Sequence, residues 1–203
     1  MKIICIGRNY SEHAKELKNE IPDKPVWFMK PDSALLLKNR PLYYPDFTNN
    51  LHYETELVFR INRVGKHIQE KFAYKYYDAV AVGFDFTARD LQAEAKKKGL
   101  PWEPAKAFDS SAALSEFIPL EEIGDVNNIE FSMKKNGEVV QQGNSSQMLF
   151  NIDFLISYLS KFLTLRMGDL IYTGTPAGVG PVERGDLLEA YIGDTMMLKT
   201  AVK

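Results

Sequence analysis

The segment HYETELVF at residues 52–59 constrains this chain most. Side chains alternate across an extended strand, so residues two apart share a face. His52, Glu54, Glu56 and Val58 then point one way, and Tyr53, Thr55, Leu57 and Phe59 the other. The second set is an ordinary core face. The first places two carboxylates side by side in a segment that otherwise reads as buried. That face is either a solvated strand surface or a cation site. A second apolar run, AVAVGFDF at residues 79–86, carries Asp85 between Phe84 and Phe86. A buried, unpaired carboxylate costs several kcal/mol, a large part of the roughly 5–15 kcal/mol that stabilises a domain. Asp85 therefore needs a partner. Amides at the start of a following helix are one candidate. A hard divalent cation shared with Glu54 and Glu56 is the other, and Mg²⁺ or Mn²⁺ would keep about three positions for water or substrate.

The chain has 203 residues, 45% of them hydrophobic, and a formal charge of −2 with both signs interspersed. This suits one domain, 1–203, with a substantial core, and gives no basic surface for nucleic acid or membrane. The single cysteine, Cys5 in IICIG, cannot form an internal disulfide and reads as a small core residue. No apolar run reaches membrane-spanning length and the start is too short for a leader, so a cytoplasmic protein is expected. KIICIG, LHYETELVFRIN, VAVGFDF, GDLIYTGTP and GDLLEAYIG read as strands, and IEFSMKKNGEVVQQG as a hairpin turning at Asn136-Gly137. Helices are expected at SEHAKELKNE from Ser11, at EKFAYKYYDA, at TARDLQAEAKKKG with Thr87 as cap, and at FNIDFLISYLSKFLTL. Strands outnumber helices and hairpins recur, which predicts an α+β fold of mainly antiparallel sheets.

HYETEL, GFDFTARDLQ, LPWEPAKAFD and GDLIYTGTPAGVG succeed one another in an order and spacing that resembles the fumarylacetoacetate hydrolase family over nearly the whole chain. The resemblance implies a β-rich roll of packed mixed sheets with peripheral helices, commonly as a homodimer. It maps the metal ligands onto Glu54, Glu56 and Asp85, a site lysine onto Lys106, and a threonine for the substrate carboxylate onto Thr175. GTPAGVG lacks the Gly-Lys-Ser/Thr ending of a phosphate loop and otherwise reads as a tight turn. Arg89 and Gln92 lie three apart in TARDLQ; Gln92 matches a substrate-contacting glutamine, while Arg89 reads equally as an ion-pair partner. His52 borders the acidic strand, and His67 reads as loop.

GRNYSEHAKELKNE is similar to the lid of the acylpyruvase and oxaloacetate decarboxylase subgroup, and 10–20 is the expected mobile segment. His13 and Glu16 share one helix face. By spacing alone they are an ordinary surface pair. By resemblance they are catalytic, the carboxylate fixing the imidazole tautomer. The implied activity is divalent-metal-dependent C–C bond hydrolysis or decarboxylation of 3-acylpyruvates and oxaloacetate-like 2-oxo dicarboxylates. Its rivals are an oxaloacetate keto–enol tautomerase, an isomerase or decarboxylase of aromatic degradation, and a non-catalytic binder of metal or oxo-acid.

Overall fold

The computed structural model describes residues 1–16, 20–37 and 39–203. Among them, strands form three sheets. The largest has eight strands, running Val26–Lys30, Ile3–Gly7, Leu170–Tyr172, Thr55–Ile61, Tyr77–Asp85, Ala112–Leu114 and Leu35–Leu37, with Ile118–Pro119 also paired to Tyr77–Asp85. A second sheet joins Glu138–Asn144, Glu130–Lys135, Leu187–Ile192 and Thr195–Ala201. The third joins Gly180–Pro181, Leu51–Tyr53 and Thr87–Ala88. Two pairings are parallel, Ile3–Gly7 with Leu170–Tyr172 and Leu35–Leu37 with Ala112–Leu114, in an otherwise antiparallel set. The expected α+β roll of mixed sheets with few helices is what the chain forms. No described helix is long and apolar enough to cross a membrane.

The central pair, Thr55–Ile61 and Tyr77–Asp85, is buried on both faces and feeds two cores. Leu57, Phe59, Val80, Val82 and Phe84 enter the larger one. Val58 and Ala81 enter a smaller one with Ile3, Cys5, Leu170 and Tyr172. This is the alternation read from the sequence, with the Glu56 face buried rather than wet. The expected continuous strand is interrupted at Glu54, however. Tyr53 pairs with Gly180 in the small sheet, and Thr55 pairs with Phe84 in the large one. At the crossing, the Thr55 amide donates to the Gln141 side chain at 3.0 Å instead of to a strand.

Three helix expectations change. Residues 70–75 form a 3₁₀ helix, and Tyr77 already belongs to the sheet, where it packs edge-on against Phe59 with ring centroids 5.5 Å apart. Sheet register takes Tyr77, which a longer helix would need. Thr87 does not cap the next helix. It lies in a strand, its hydroxyl donating to the Asp85 carbonyl at 3.2 Å. Arg89–Lys98 instead starts after Ala88, anchored where Asp90 accepts from the Thr48 hydroxyl and the Asn49 amide. The helix expected at 150–165 shortens to Ile152–Leu159, capped by Asn151 and burying Ile152, Leu155, Ile156 and Leu159. The Asn136-Gly137 hairpin is as expected, with φ of 54° and 88°. Ser11 opens the helix Ser11–Glu16; residues 17–19 of the expected lid lie outside the described residues.

Gly83 sits opposite Glu56 in the central pair. A Cβ there would lie 2.6 Å from the Ala113 carbonyl oxygen and 2.8 Å from the Tyr172 ring. The Tyr172 hydroxyl donates to that same carbonyl at 3.0 Å. Gly83→Ala is expected to destabilise the fold by about 1–3 kcal/mol, the usual scale for overpacking. Urea unfolding reads this as a lower midpoint at unchanged slope; an unchanged midpoint would show that Tyr172 gives way freely.

Candidate active site

The break at Glu54 and the end of the neighbouring strand at Asp85 bring three carboxylates together. One oxygen from each of Glu54, Glu56 and Asp85 lies within 4.8 Å of the others, and all three residues are buried. Such a set repels itself unless positive charge is supplied. Lys106 supplies part of it. Its ammonium donates to Glu54 Oε2 at 2.7 Å and to Asp85 Oδ2 at 2.8 Å, and it is only 2% exposed. The short helix Glu103–Lys106 carries it there, beside the Phe28 ring. Lys30, fully buried, lies 2.7 Å from Asp85 Oδ1 as an ion pair outside hydrogen-bonding angle, while its ammonium donates to the Ser111 carbonyl and hydroxyl at 2.9 Å. Asp85 is therefore balanced by ammonium groups and not by helix-start amides.

Arg89 and Gln92 extend the site along one helix face. Arg89 donates to Glu54 Oε1 at 2.5 Å and to Gln92 Oε1 at 2.6 Å, so the ion-pair reading of Arg89 holds in this structure. Both line the cleft over the carboxylates. Thr175 lines it from the opposite side, its hydroxyl accepting from Gln141 Nε2 at 2.8 Å. His52 turns away to Asn50 at 2.9 Å, and burial, then Arg89, lowers its pKa to about 4.

Charge is divided unevenly. Burial alone would raise the Glu54 carboxyl, but Lys106 and then Arg89 outweigh it and hold it well below the usual carboxylate range. Glu56 goes the other way. Burial, then the charges of Asp85 and Glu54, push it well above its ordinary value. Its hydrogen bond comes from the Gly174 amide at 2.7 Å. Burial opposes the Lys106 charge, yet Asp85 and Glu54 raise its pKa. An all-oxygen set with one carboxylate lacking an ammonium partner fits a hard divalent cation.

His13 and Glu16 meet on one helix face, as their spacing predicts. His13 is only 6% exposed and lines the cleft. Its Nδ1 is 3.0 Å from Glu16 Oε2, which leaves Nε2 as the nitrogen available to the cleft. Glu16 Oε1 accepts from the Gly178 amide at 3.1 Å. The GTPAGVG segment is the tight turn expected, with φ of 96° at Gly174 and 97° at Gly178. It leads into a strand rather than a helix. Its amides hold one carboxylate of the acidic set and one of the lid pair.

Sequence reading missed Lys30, Gln141, Arg8, Lys96 and Trp102. A lysine within the apolar run VWFMK was a readable signal for Lys30. Gln141 had none: its role comes from bridging the Thr55 amide and Thr175 across elements far apart in the chain.

The family model for the fumarylacetoacetate (FAA) hydrolase C-terminal region matches residues 2–203. The chain is 44% identical over 201 residues to the mitochondrial oxaloacetate tautomerase of Mus musculus, covering 99% of this chain and 91% of that one. It is 44% identical over 192 residues to the mitochondrial oxaloacetate decarboxylase of Dictyostelium discoideum, covering 94% and 88%. Its structure superposes on the fumarylpyruvate hydrolase of Pseudomonas aeruginosa, solved with Mn²⁺ and pyruvate, with a TM-score of 0.95 at 38% identity, covering 100% and 89%. With the fold, the buried acidic triad and these likenesses in agreement, the chain belongs to the fumarylacetoacetate hydrolase family and is an enzyme of it.

Proposed function

We propose that this enzyme, a single catalytic unit over 1–203, acts on short 2-oxo acids that carry a second carbonyl function at C4: oxaloacetate and 3-acylpyruvates. Keto–enol exchange, C4 decarboxylation and C3–C4 hydrolysis all place negative charge at C3 and on the 2-oxo oxygen. One site that stabilises that charge can serve all three. The observation that carries the reading is His13, buried and facing the same cleft as the acidic triad, with Glu16 held against its Nδ1. Keto–enol exchange of oxaloacetate needs a base that takes the C3 proton and a proton returned to the 2-oxo oxygen, but no attacking water and no C–C cleavage, so tautomerisation is the reaction the geometry supports most directly. C–C bond cleavage is the second reading, favoured by the close likeness to the fumarylpyruvate hydrolase.

Glu54, Glu56 and Asp85 would hold the cation, Mg²⁺ or Mn²⁺, which when bound supplies a Lewis acid for charge developing on the 2-oxo group. Gln92, Thr175 and Arg89 line the cleft where they can fix the substrate carboxylate. Glu16 accepts from His13 Nδ1, so Nε2 is the basic nitrogen and takes the C3 proton. For an acylpyruvate the same nitrogen would take a proton from water attacking C4. Lys106 keeps positive charge beside the developing oxyanion. The described part of the proposed lid, 10–16, would be held at the cleft by the Glu16–Gly178 hydrogen bond. A homodimer and a cytoplasmic setting belong to the same reading, and light scattering tests the first.

His13→Ala should lower enol–keto exchange of oxaloacetate and hydrolysis of acetylpyruvate by about 10²–10⁴-fold, the scale of a lost general base. Decarboxylation needs neither proton abstraction nor attacking water and should fall less. Steady-state kinetics on purified protein with Mg²⁺ decide this. Wild-type rates in the variant would return His13 and Glu16 to an ordinary ion pair.

A second prediction concerns Glu56, whose folded pKa is raised. Stability from such a group is fully present below its ordinary, unfolded pKa and is lost as pH rises through the folded value. Metal-free protein should therefore weaken as pH rises above the ordinary glutamate range, by up to about 1.4 kcal/mol per pH unit. Urea unfolding in a chelator measures it. Glu56→Gln should flatten the slope. Calorimetry of Mn²⁺ binding in buffers of different ionisation heat should show proton release that the variant lacks. An identical slope and identical proton release in Glu56→Gln would rule this out.

A further inference from the structure

Four cationic side chains line the cleft: Arg8, Arg89, Lys96 and Lys106. Arg89 and Lys106 are neutralised by Glu54 and Asp85. Arg8 and Lys96 have no acidic partner among the described residues. Arg8 Nε is buried without a hydrogen bond. Lys96 is an exposed residue overall, but its ammonium lies over the Trp102 ring, 5.5 Å from the centroid, at the edge of the cleft. Burial of that end, and next the charge of Arg8, lowers its pKa to about 8. Two cations that raise each other's energy persist at a cleft when the missing anion is a ligand.

The backbone shows how Arg8 is held there. It adopts φ of 59°, a left-handed conformation uncommon for a non-glycine residue, directly after the strand Ile3–Gly7. The next residue over-determines it. Asn9 is fully buried, its side-chain amide donating to the carbonyls of Thr173 at 2.8 Å and Phe150 at 3.0 Å. Its side-chain oxygen accepts from the Phe150 amide at 2.9 Å. Local strain of this kind persists where surrounding contacts impose it, commonly at a binding site. Lys96 is set from the other side, four residues beyond Gln92 on the same helix face.

We propose that Arg8 and Lys96 form a second anion subsite, which takes the distal carboxylate of a 2-oxo diacid and makes the enzyme select dicarboxylic over monocarboxylic substrates. This rests on the proposed 2-oxo acid chemistry and narrows it. Oxaloacetate and fumarylpyruvate carry such a group, whereas acetylpyruvate ends in a methyl. Charge-assisted hydrogen bonds from two cations are on the scale of about a tenfold to hundredfold preference.

The test uses two probe pairs on Mn²⁺-loaded, full-length protein. The first is the kcat/KM ratio of fumarylpyruvate to acetylpyruvate. The second is the calorimetric affinity ratio of 2-oxoglutarate to 2-oxopentanoate, which differ only in a distal carboxylate against a methyl. Wild type should favour the diacid by about tenfold or more in each. Arg8→Gln and, separately, Lys96→Gln should each lower both ratios at least several-fold, and Arg8→Lys should restore part of the loss. Lys96→Gln lies on an exposed helix position and keeps the test independent of any folding defect at Arg8. No diacid preference in wild type, or ratios unchanged in both glutamine variants, overturns the subsite. Absence of turnover with a preserved, Arg8- and Lys96-dependent binding preference overturns the proposed reaction and leaves the subsite standing.

Discussion

Three carboxylates gathered in a buried cleft, with one ammonium bridging two of them, are the interaction on which the rest of this structure depends. Each buried charge carries a desolvation penalty of several kcal/mol, and like charges add repulsion. Lys106 and Lys30 offset this for Asp85, and Lys106 and Arg89 for Glu54. Glu56 is left with an amide and two anionic neighbours, so it holds a proton more tightly than an ordinary glutamate. Three cations face three carboxylates, yet none of them pairs with Glu56. That local shortfall suits a cation, and it ties the protonation of Glu56 to fold stability.

The backbone is organised around the same cluster. The chain leaves one sheet and enters another at Glu54, and the strand carrying Asp85 ends there. Gly83, opposite Glu56, leaves room for the Tyr172 ring, which a side chain there would strike. The turn at residues 174–178 holds Glu56 through one amide and Glu16 through another. The helix Ser11–Glu16 and the acidic cluster are therefore held by a single loop. Its left-handed glycines place both amides: a Cβ at Gly174 would meet Asn9 at 2.9 Å, and one at Gly178 would meet the Val140 carbonyl at 2.3 Å.

The relatives' names differ in reaction but not in the kind of charge that must be stabilised. The cleft explains how close sequences can carry different names. Its acidic floor and cationic walls suit an anionic 2-oxo compound, and in the proposed function His13 is the one base that moves the proton. The outcome then depends on the atoms at C4 and on whether water reaches them. The arrangement around Lys96 and Arg8 bears on substrate length and charge, a question separate from the reaction type.

Much of this was legible in the chain itself, because period-2 alternation and carboxylates inside apolar runs are local signals. HYETELVF announced its two faces, Asp85 announced its need for a partner, and Asn136-Gly137 announced its turn. The β-rich class came from the same patterns. Local signals also misled. Thr87 looked like a cap, and residues 70–79 looked helical, because propensity acts locally while sheet register claims Tyr77 and Thr87 from a distance. Tertiary structure alone decided that the acidic face is dry, that two lysines balance Asp85, and that Gln141 bridges the Thr55 amide to Thr175. It also decided that Arg8 is held left-handed by Asn9. Each of these depends on groups far apart in sequence meeting in a water-poor space, where the energy of a charge is set by its neighbours and not by its own residue type.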